Sequence, residues 1–593
     1  MGEERRRRNS SSEGDEGENS ERKAGGWKAI VYILGNESFE KLASMSLVAN
    51  ITVYLRSKYN MDGIQLVNVV NIWSGSSNFT TLAGAFFSDA YLGRFLTLLI
   101  GSIASMLGMG VMTLTAGIPR LRPPPCSTDA HLNCESAQPW QLAFLYSALA
   151  LLAIGSGGIR PCNIAFGADQ FDTNTSKGRS QLKSFFNWWY FSFTVALLIA
   201  LSIVVYIQTN VSWLLGFAIP TVCFFFSISI FLIGRHVYVY KEPQGSMFLD
   251  IIKVINAAFR KRKIDLGTLL PDDLYDPEVK ESDRRYNDIP RTTRFKFLEK
   301  AAAIVDRSHE LDESGAISTN TWRLCSIQQV ERLKCLVGII PVWFTGIACF
   351  ISMDQMNTLG ISQAMQTNTK VKQFQIPPSW IGLSSMIALS LWIFIYECIV
   401  VPVLRKTKAS SKDDDVRLTT KTKIQIGIVM SILCMLVAGI TERKRRQSAI
   451  NNGTFASPIS VAILLPQFVL SGLTEAFSAV AIMEFLNNQF PESMRSVGGS
   501  LFFLSLSASS YLDTILANVV YSITKKNGNS PWLGGHDLNA DRLENFYFMI
   551  AGIGVVNFFY FHFFSCHYIF SPLVRTDESE EELKNRTTPH LQF

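Results

Sequence analysis

The chain has 593 residues, of which 48% are hydrophobic and 41 are phenylalanine, and its formal net charge is +6. This composition is too apolar for an ordinary soluble protein of this length and predicts an integral membrane protein. The charge is modest and its lysines and arginines lie mainly in tails and loops, which argues against nucleic-acid binding.

Twelve apolar runs are each long enough, at about 20 residues, to cross a bilayer as a helix. They lie near residues 28–55, 66–89, 94–117, 139–162, 184–207, 213–234, 334–353, 378–403, 421–441, 459–487, 496–522 and 546–571. Six runs precede residue 235 and six follow residue 333. This arrangement predicts an all-α membrane protein with two six-helix bundles, at residues 27–234 and 334–572. The charged stretch 235–333 contains no run of that length, so it predicts a cytoplasmic linker with a few amphipathic helices. The polar ends, residues 1–26 and 573–593, are predicted to be disordered tails.

Basic residues predict the orientation of these spans. Arg5–Arg8, the linker run Arg260–Lys263 and the basic residues at 405–408 all fall on one side of the membrane. By the positive-inside rule that side is cytoplasmic, with both termini inside. The run Arg443–Arg446 after the ninth span does not fit, because it would lie outside. The same loop contains Asn452-Gly-Thr, the best placed acceptor for N-glycosylation.

Cysteine and histidine patterns give little sign of a metal centre or of enzyme chemistry. The ten cysteines are scattered without a Cys-x-x-Cys pair, and the seven histidines are dispersed, so neither a metal site nor a disulfide framework is predicted. Cys126 and Cys134 flank a short polar loop, where an extracytoplasmic disulfide and two free thiols are equally open. No Ser-His-Asp set or phosphate loop is visible, which makes an enzyme the least favoured class.

Three charged side chains, Glu37, Glu40 and Lys41, interrupt the first apolar run. Their i, i+3 and i+4 spacing places them on one face of a helix. An ionised group at the centre of a bilayer costs about 2.5 to 3.5 kcal/mol on insertion scales, so this face should meet partners or water rather than lipid. We predict a proton and solute pathway along it. The alternative is a static buried network that fixes helix register.

The fourth span ends in a glycine-rich stretch, 155–161, that carries Arg160 at membrane depth. The stretch lacks the Lys-Ser/Thr of a phosphate loop, so we expect its glycines to serve close helix packing. Arg160 is either a snorkelling interfacial residue or the partner of an acidic group. The tenth span offers Glu475 and Glu484, whose separation points them to different faces. A pair between Arg160 and Glu484 would join the two bundles as a switchable gate.

Several motifs, in order along the whole chain, resemble the plant nitrate and peptide transporter family, which is part of the proton-coupled oligopeptide transporters and of the major facilitator superfamily. These motifs are Glu37-x-x-Glu-Lys41, the turn 89–97, Gly157-Gly-Ile-Arg-Pro-Cys162 running on to 166–172, the aromatic run 185–191 and Pro491-Glu-Ser-Met-Arg495. The resemblance implies a twelve-helix fold, alternating access and uptake driven by the proton gradient, with Glu37 and Glu40 as proton sites and no cofactor. It also implies that Arg160 pairs with the tenth-span acid, here Glu484.

The resemblance also bears on regulation. Thr97 matches a threonine that is a phosphorylation switch in a nitrate-transporting relative, which would add a regulatory kinase to the partners. A simple helix-start threonine is the alternative. Apart from that kinase, the expected partners are protons, a small-molecule substrate and the lipid bilayer, and the oligomeric state is open.

Substrate-pocket candidates are Met353, Gln355 and Glu475. Relatives that bind nitrate through a seventh-span histidine have it where this chain has Met353, and a thioether cannot donate a hydrogen bond to an anion. The stretch 191–196 is similar to the subfamily with glucosinolate, other glycoside and nitrate carriers. We therefore expect a plasma-membrane proton symporter that imports a glucosinolate or another glycosylated or anionic metabolite. Low-affinity nitrate transport, a solute-sensing transceptor with little flux, and a vacuolar location are the alternatives.

Overall fold

The computed structural model describes residues 25–125, 135–172, 175–241, 247–264, 274–276, 291–292, 294–305, 307–312, 322–403, 417–489, 495–526 and 531–569. Several predicted features lie outside these residues: nearly all of both tails, Cys126 and Cys134, the basic residues at 405–408 and residues 491–494. Within the described ranges, the strands form one short antiparallel hairpin, β1 (Lys370–Val371) with β2 (Phe374–Gln375). The long elements there are all helices.

The N-terminal half contains six long helices. They are α1 (Gly26–Lys58), α2 (Gly63–Phe87), α3 (Gly93–Gly117), α4 (Pro139–Ala168), α5 (Ser176–Ile199) and α6 (Trp213–Ile233). The fifth span continues beyond α5 through π-helical turns to residue 211. An amphipathic helix of the linker follows, α7 (Met247–Arg260).

The C-terminal half supplies the other six spans. Its helices are α8 (Ile327–Gln355), α9 (Leu383–Ile395), α10 (Thr420–Asn452), α11 (Leu465–Thr474), α12 (Val480–Gln489), α13 (Arg495–Lys526) and α14 (Leu543–Phe563). α11 and α12 form one span, joined by the π-helical turn Glu475–Ala479.

The helices account for the twelve predicted crossings. In the described part of the chain, ten segments are long and apolar enough to span a membrane. One of them, 63–117, holds two spans that meet at Gly93, whose φ of 74° suits glycine. The 33-residue α1 is the remaining crossing, and its charged side chains lower its hydropathy. The prediction of twelve transmembrane helices is confirmed.

Glycines of α4 permit close packing against α2 and α3. A Cβ atom at Gly157 would lie 2.6 Å from the carbonyl oxygen of Thr80, and one at Gly155 would lie 2.0 Å from Ser105 Oγ. Any side chain at these positions would force the helices apart, since the neighbours are backbone or short side chains. The sequence-based choice of helix packing over a phosphate loop therefore agrees with the structure.

The basic run Arg443–Arg446, which did not fit the predicted orientation, belongs to α10 rather than to a loop. Arg445 is fully buried and donates from Nε and Nη2 to both carboxylate oxygens of Glu442, at 2.9 and 2.8 Å. Arg446 donates to the carbonyl oxygen of Asn539 at 3.0 Å. The ninth span was predicted to end near residue 441, which was wrong by about three helical turns. Two of the four basic side chains therefore form hydrogen bonds within the C-terminal half.

The two ends of the molecule can be told apart by their contacts. Gly26, at the start of α1, donates to the carbonyl oxygen of Gln170 at 3.0 Å, and the Gln170 amide donates to Val239, which leads into the linker, at 3.1 Å. We call this end the linker face. The opposite end, where α1 finishes at Lys58, is the distal face.

The described part of the linker packs on the C-terminal half. Val254 and Ala257 of α7 share an apolar cluster with Leu298, Ala301 and the first turns of α8. Beside this cluster, the buried Lys334 ammonium lies 2.7 Å from Glu331 and 2.8 Å from Glu299 of the linker. This part of the predicted linker is therefore a folded attachment at the start of the seventh span.

Candidate functional site

The three charged residues of α1 form one cluster inside the N-terminal half. Lys41 Nζ lies 3.1 Å from Glu40 Oε2 and 3.7 Å from Glu37 Oε1. Glu37, Glu40 and Lys41 are 1%, 4% and 9% exposed, so the cluster is nearly dry in this conformation. α1 packs on α5 and α6, and the charges are covered by protein rather than lipid. The three side chains therefore lie on one face of α1, as their spacing predicted.

Arg160 of α4 adds a second cation beside this cluster. It is half-buried and donates from Nη1 to Asn78 Oδ1 of α2 at 2.7 Å. Its charge acts on both Glu40 and Lys41. Because Asn78 is neutral, the hydrogen bond orients the guanidinium without cancelling its charge. The interior of the N-terminal half thus brings together two carboxyl groups and two basic groups.

The structure does not bring Arg160 and Glu484 together. Glu484 pairs instead with Lys423, at 2.8 Å, and its side chain is 41% exposed near the linker face. Lys423 lies in the first turn of α10, so both partners of this pair belong to the C-terminal half. A nearer lysine supplies the charge that the sequence argument assigned to Arg160. The gate formed by Arg160 and Glu484 stays a prediction, without its contact in this conformation.

The predicted substrate-pocket residues lie in different environments. Gln355 is fully buried and donates from its side-chain amide to Asp513 Oδ1. Met353 is half-buried and packs against an apolar cluster of the C-terminal half. Glu475 is half-buried in the π-helical turn between α11 and α12. Gln355 and Glu475 therefore offer polar groups within the spans, whereas Met353 contributes packing.

A second pair of acids, Asp354 and Asp513, lies within the spans and was not predicted from the sequence. Asp513 of α13 is fully buried and accepts a hydrogen bond from Asn71 Nδ2 of α2 at 2.6 Å. Asp354 of α8 accepts from Ser509 and Ser510 at 2.9 and 3.2 Å. The signal was present for Asp513, a charged residue inside the apolar run 496–522 and so within the criterion applied to α1, whereas Asp354 directly follows the run 334–353.

Polar contacts across the two halves close the distal face. They join α1 and α2 to the C-terminal half: Asn50 with Ser379 at 2.6 Å, Asn68 with Asn518 at 2.6 Å, Asn71 with Asp513 at 2.6 Å, and Arg56 with the carbonyl oxygen of His536 at 2.7 Å. α2 and α13 pack directly along this seam. Next to Arg56, burial raises the pKa of Asp541 to about 6, although the Gly535 N–H and Arg56 act in the opposite direction.

At the linker face the two halves leave a cavity of about 180 Å³ between them. On one side it is lined by Thr81, Asp89, Arg94 and Cys162 of the N-terminal half. The C-terminal half contributes Gly499, Ser500 and Phe503 of α13. A closed distal seam with a cavity at the linker face is one of the two conformations that a transporter with alternating access must adopt.

Thr97 lies near the start of α3, three residues after Arg94 of the cavity lining. Its side chain is buried and Oγ1 donates to the carbonyl oxygen of Gly93 at 2.9 Å. A kinase could reach the hydroxyl only if this turn opened. The regulatory role of Thr97 stays a prediction.

Comparisons with known proteins agree with this architecture. Residues 95–533 match the family model PTR2, described as the POT family. The chain is 55% identical over 551 residues to Protein NRT1/PTR FAMILY 2.8 of Arabidopsis thaliana, covering 92% of this chain and 95% of the relative. It is 41% identical to Protein NRT1/PTR FAMILY 2.13 of the same plant, covering 95% and 90%.

Solved structures show the same fold. The crystal structure of the POT family transporter PepTSo superposes with a TM-score of 0.64 at 18% identity, covering 91% of this chain and 98% of that one. A POT family transporter in complex with 5-aminolevulinic acid gives a TM-score of 0.58 at 12% identity, covering 92% and 97%. The chain therefore belongs to the POT family, in its NRT1/PTR group, and is a multi-pass, proton-coupled membrane transporter rather than an enzyme.

Proposed function

We propose that this transporter is a symporter that imports a small organic anion together with protons. The preferred substrate is a glucosinolate or another anionic, glycosylated metabolite. In this proposal Glu37 and Glu40 carry the protons, and the transporter works at the plasma membrane with both termini in the cytoplasm. The observation that carries the proposal is the balance of charge around Lys41.

Two carboxyl groups, Glu37 and Glu40, face two cations, Lys41 and Arg160. With both carboxyl groups ionised the four charges cancel. Protonation of either one leaves a net positive charge in a water-poor interior. A single charge 4 Å from an anion is worth about 4 kcal/mol at an effective dielectric constant of 20. An anionic solute would therefore bind more tightly after protonation, which couples the two ligands.

Alternating access would then carry the solute and the proton across together. The bonds at the distal seam, such as Asn71 with Asp513, hold the present conformation. Their opening, with closure around the linker-face cavity, would expose the charged cluster to the other side. Protonation from the acidic compartment and release into the neutral one would give the cycle its direction.

Nitrate is the second candidate substrate. It is also a monovalent anion, so the charge argument around Lys41 applies to it equally. It ranks second because Met353 stands where nitrate-binding relatives have a histidine donor, so nitrate would have to bind by another route.

Uptake assays in oocytes test the proposal. Glucosinolate, nitrate, a neutral glucoside and a dipeptide are compared at acidic and neutral external pH. We expect glucosinolate uptake that rises at acidic pH and is not competed by the neutral glucoside. Glu397→Gln removes an exposed acid that pairs with Arg417 at 3.2 Å. It is the matched control for Glu40→Gln and should leave uptake unchanged.

Three outcomes would overturn parts of the proposal. Uptake of nitrate alone would replace the substrate, and uptake independent of pH would exclude symport. A response to solute without measurable flux would favour a transceptor.

A further inference from the structure

We propose that α7 of the linker docks on the anionic surface of the bilayer through an apolar face bordered by basic residues. Ile252, Ile255 and Phe259 are 52%, 52% and 64% exposed. Their i, i+3 and i+7 spacing places them on one face of the helix. These three large apolar side chains, over about two helical turns, form a stripe outside the membrane spans that no described part of the chain covers.

The stripe is separate from the face that holds α7 in place. Val254 and Ala257 are fully buried on that second face, against Leu298, Ala301 and Val330. α7 therefore has two apolar faces, and among the described residues its packing contacts use one of them. We expect the remaining face to bind a partner, since the free energy falls when apolar groups leave water.

Charge at the end of α7 identifies that partner as an anionic lipid surface. Arg260, Arg262 and Lys263 are exposed, whereas Lys261 is buried and pairs with Glu310 at 2.9 Å. The Arg262 guanidinium lies 4.6 Å from the centre of the Phe259 ring, so charge and apolar surface are contiguous. Basic residues beside an apolar helical face are typical of helices that lie in the headgroup region of anionic membranes.

The position of α7 brings this stripe to the bilayer. The cluster that holds α7 includes Val330 and Leu333, in the first two turns of α8. α8 is the start of the seventh span, so its first turns lie where the chain enters the membrane. α7 is thus anchored at the linker face within reach of the headgroups. The proposal concerns a surface of the linker and does not depend on the transported solute.

Quenching by spin-labelled lipid tests the proposal in the full-length protein. Ile255→Cys is labelled with bimane in a Cys126→Ser, Cys134→Ser, Cys398→Ser background and reconstituted into vesicles containing doxyl lipid, with or without phosphatidylglycerol. Val556→Cys, in α14 with 68% exposure, is the lipid-facing reference, and Lys370→Cys, in β1, is the aqueous reference. We expect the Ile255 label to be quenched like Val556 in anionic vesicles and less in neutral ones.

The basic residues are tested by Arg260→Gln, Arg262→Gln and Lys263→Gln. Each basic residue near an anionic surface contributes roughly fivefold to association, so each substitution should lower the docked-to-undocked ratio by about that factor. Lys444→Gln, an exposed basic residue of α10, is the matched control and should leave quenching unchanged.

Two results would overturn the proposal. An Ile255 label that is quenched by aqueous iodide and not by doxyl lipid in anionic vesicles would show that the stripe is in water. A label shielded from both quenchers would show that protein covers the stripe, either another part of this chain or a second copy.

Discussion

The hydrogen bond between Asn71 and Asp513 should control how often the distal face opens. The Asn71 amide donates to Asp513 Oδ2 at 2.6 Å across the seam between α2 and α13, and both residues are about 1% exposed or less. Asn71→Ala destabilises only the closed state, because the hydrogen bond is already broken when the distal face is open. Asp513 is fully buried and has no cationic partner among the described residues, so we take it as neutral, and a hydrogen bond between neutral groups contributes about 0.5 to 1.5 kcal/mol. The ratio of open to closed distal faces should therefore rise roughly 2- to 13-fold.

Spin-label distances across the distal face measure this ratio. Labels on the two halves, one near residue 60 and one near 455, should show a long-distance population that grows in Asn71→Ala. Asn557→Ala is the matched control, since Asn557 makes a comparable bond, to the Thr345 carbonyl at 3.2 Å, within the C-terminal half. The control should lose stability without a change in distances. Equal distance distributions in wild type and Asn71→Ala would refute the view that this bond holds the seam.

Three further predictions concern stability and orientation. Arg445→Met leaves a buried carboxylate unpaired and should cost about 3 to 5 kcal/mol, seen as a lower melting temperature in detergent; an unchanged value would contradict the proposed role of the buried pair. Gly157→Ala should cost about 1 to 3 kcal/mol through overpacking, whereas Gly110→Ala, with nothing within 4 Å, should be tolerated, and equal stability of the two would refute the packing argument. Asn452 is exposed at the distal end of α10, so expression in a eukaryotic secretory pathway should give a glycosidase-sensitive band that Asn452→Gln abolishes. A band without glycan would contradict the expectation that Asn452 is accessible on the extracytoplasmic side.

Apolar run length was enough to predict the architecture, because a bilayer demands about 20 apolar residues per helix whatever their partners. The same reasoning failed at the end of the ninth span. Arg443–Arg446 resembles a loop by composition, but α10 continues because Glu442, Asn539 and Glu544 supply partners for two of its arginines. Two of those partners, Glu544 of α14 and Asn539 of a distant loop, lie far along the chain, and helix composition does not reveal them.

Side-chain pairing was harder to predict than helix position. Local spacing correctly grouped Glu37, Glu40 and Lys41, since neighbours at i, i+3 and i+4 must share a face. Arg160 and Glu484 are 324 positions apart by sequence number, and the structure gives each a nearer partner. Pairing between halves also changes with conformation, so a single sequence pattern does not determine it.

Proton-driven accumulation by Glu40→Gln tests the central claim most directly. In proteoliposomes, an imposed pH gradient drives net uptake, whereas exchange of solute at equal pH requires only alternating access. The account predicts that Glu40→Gln loses accumulation against a gradient but keeps solute exchange, because the glutamine preserves shape and cannot carry the proton. Accumulation equal to that of the wild type would contradict the assignment of Glu40 to the proton path.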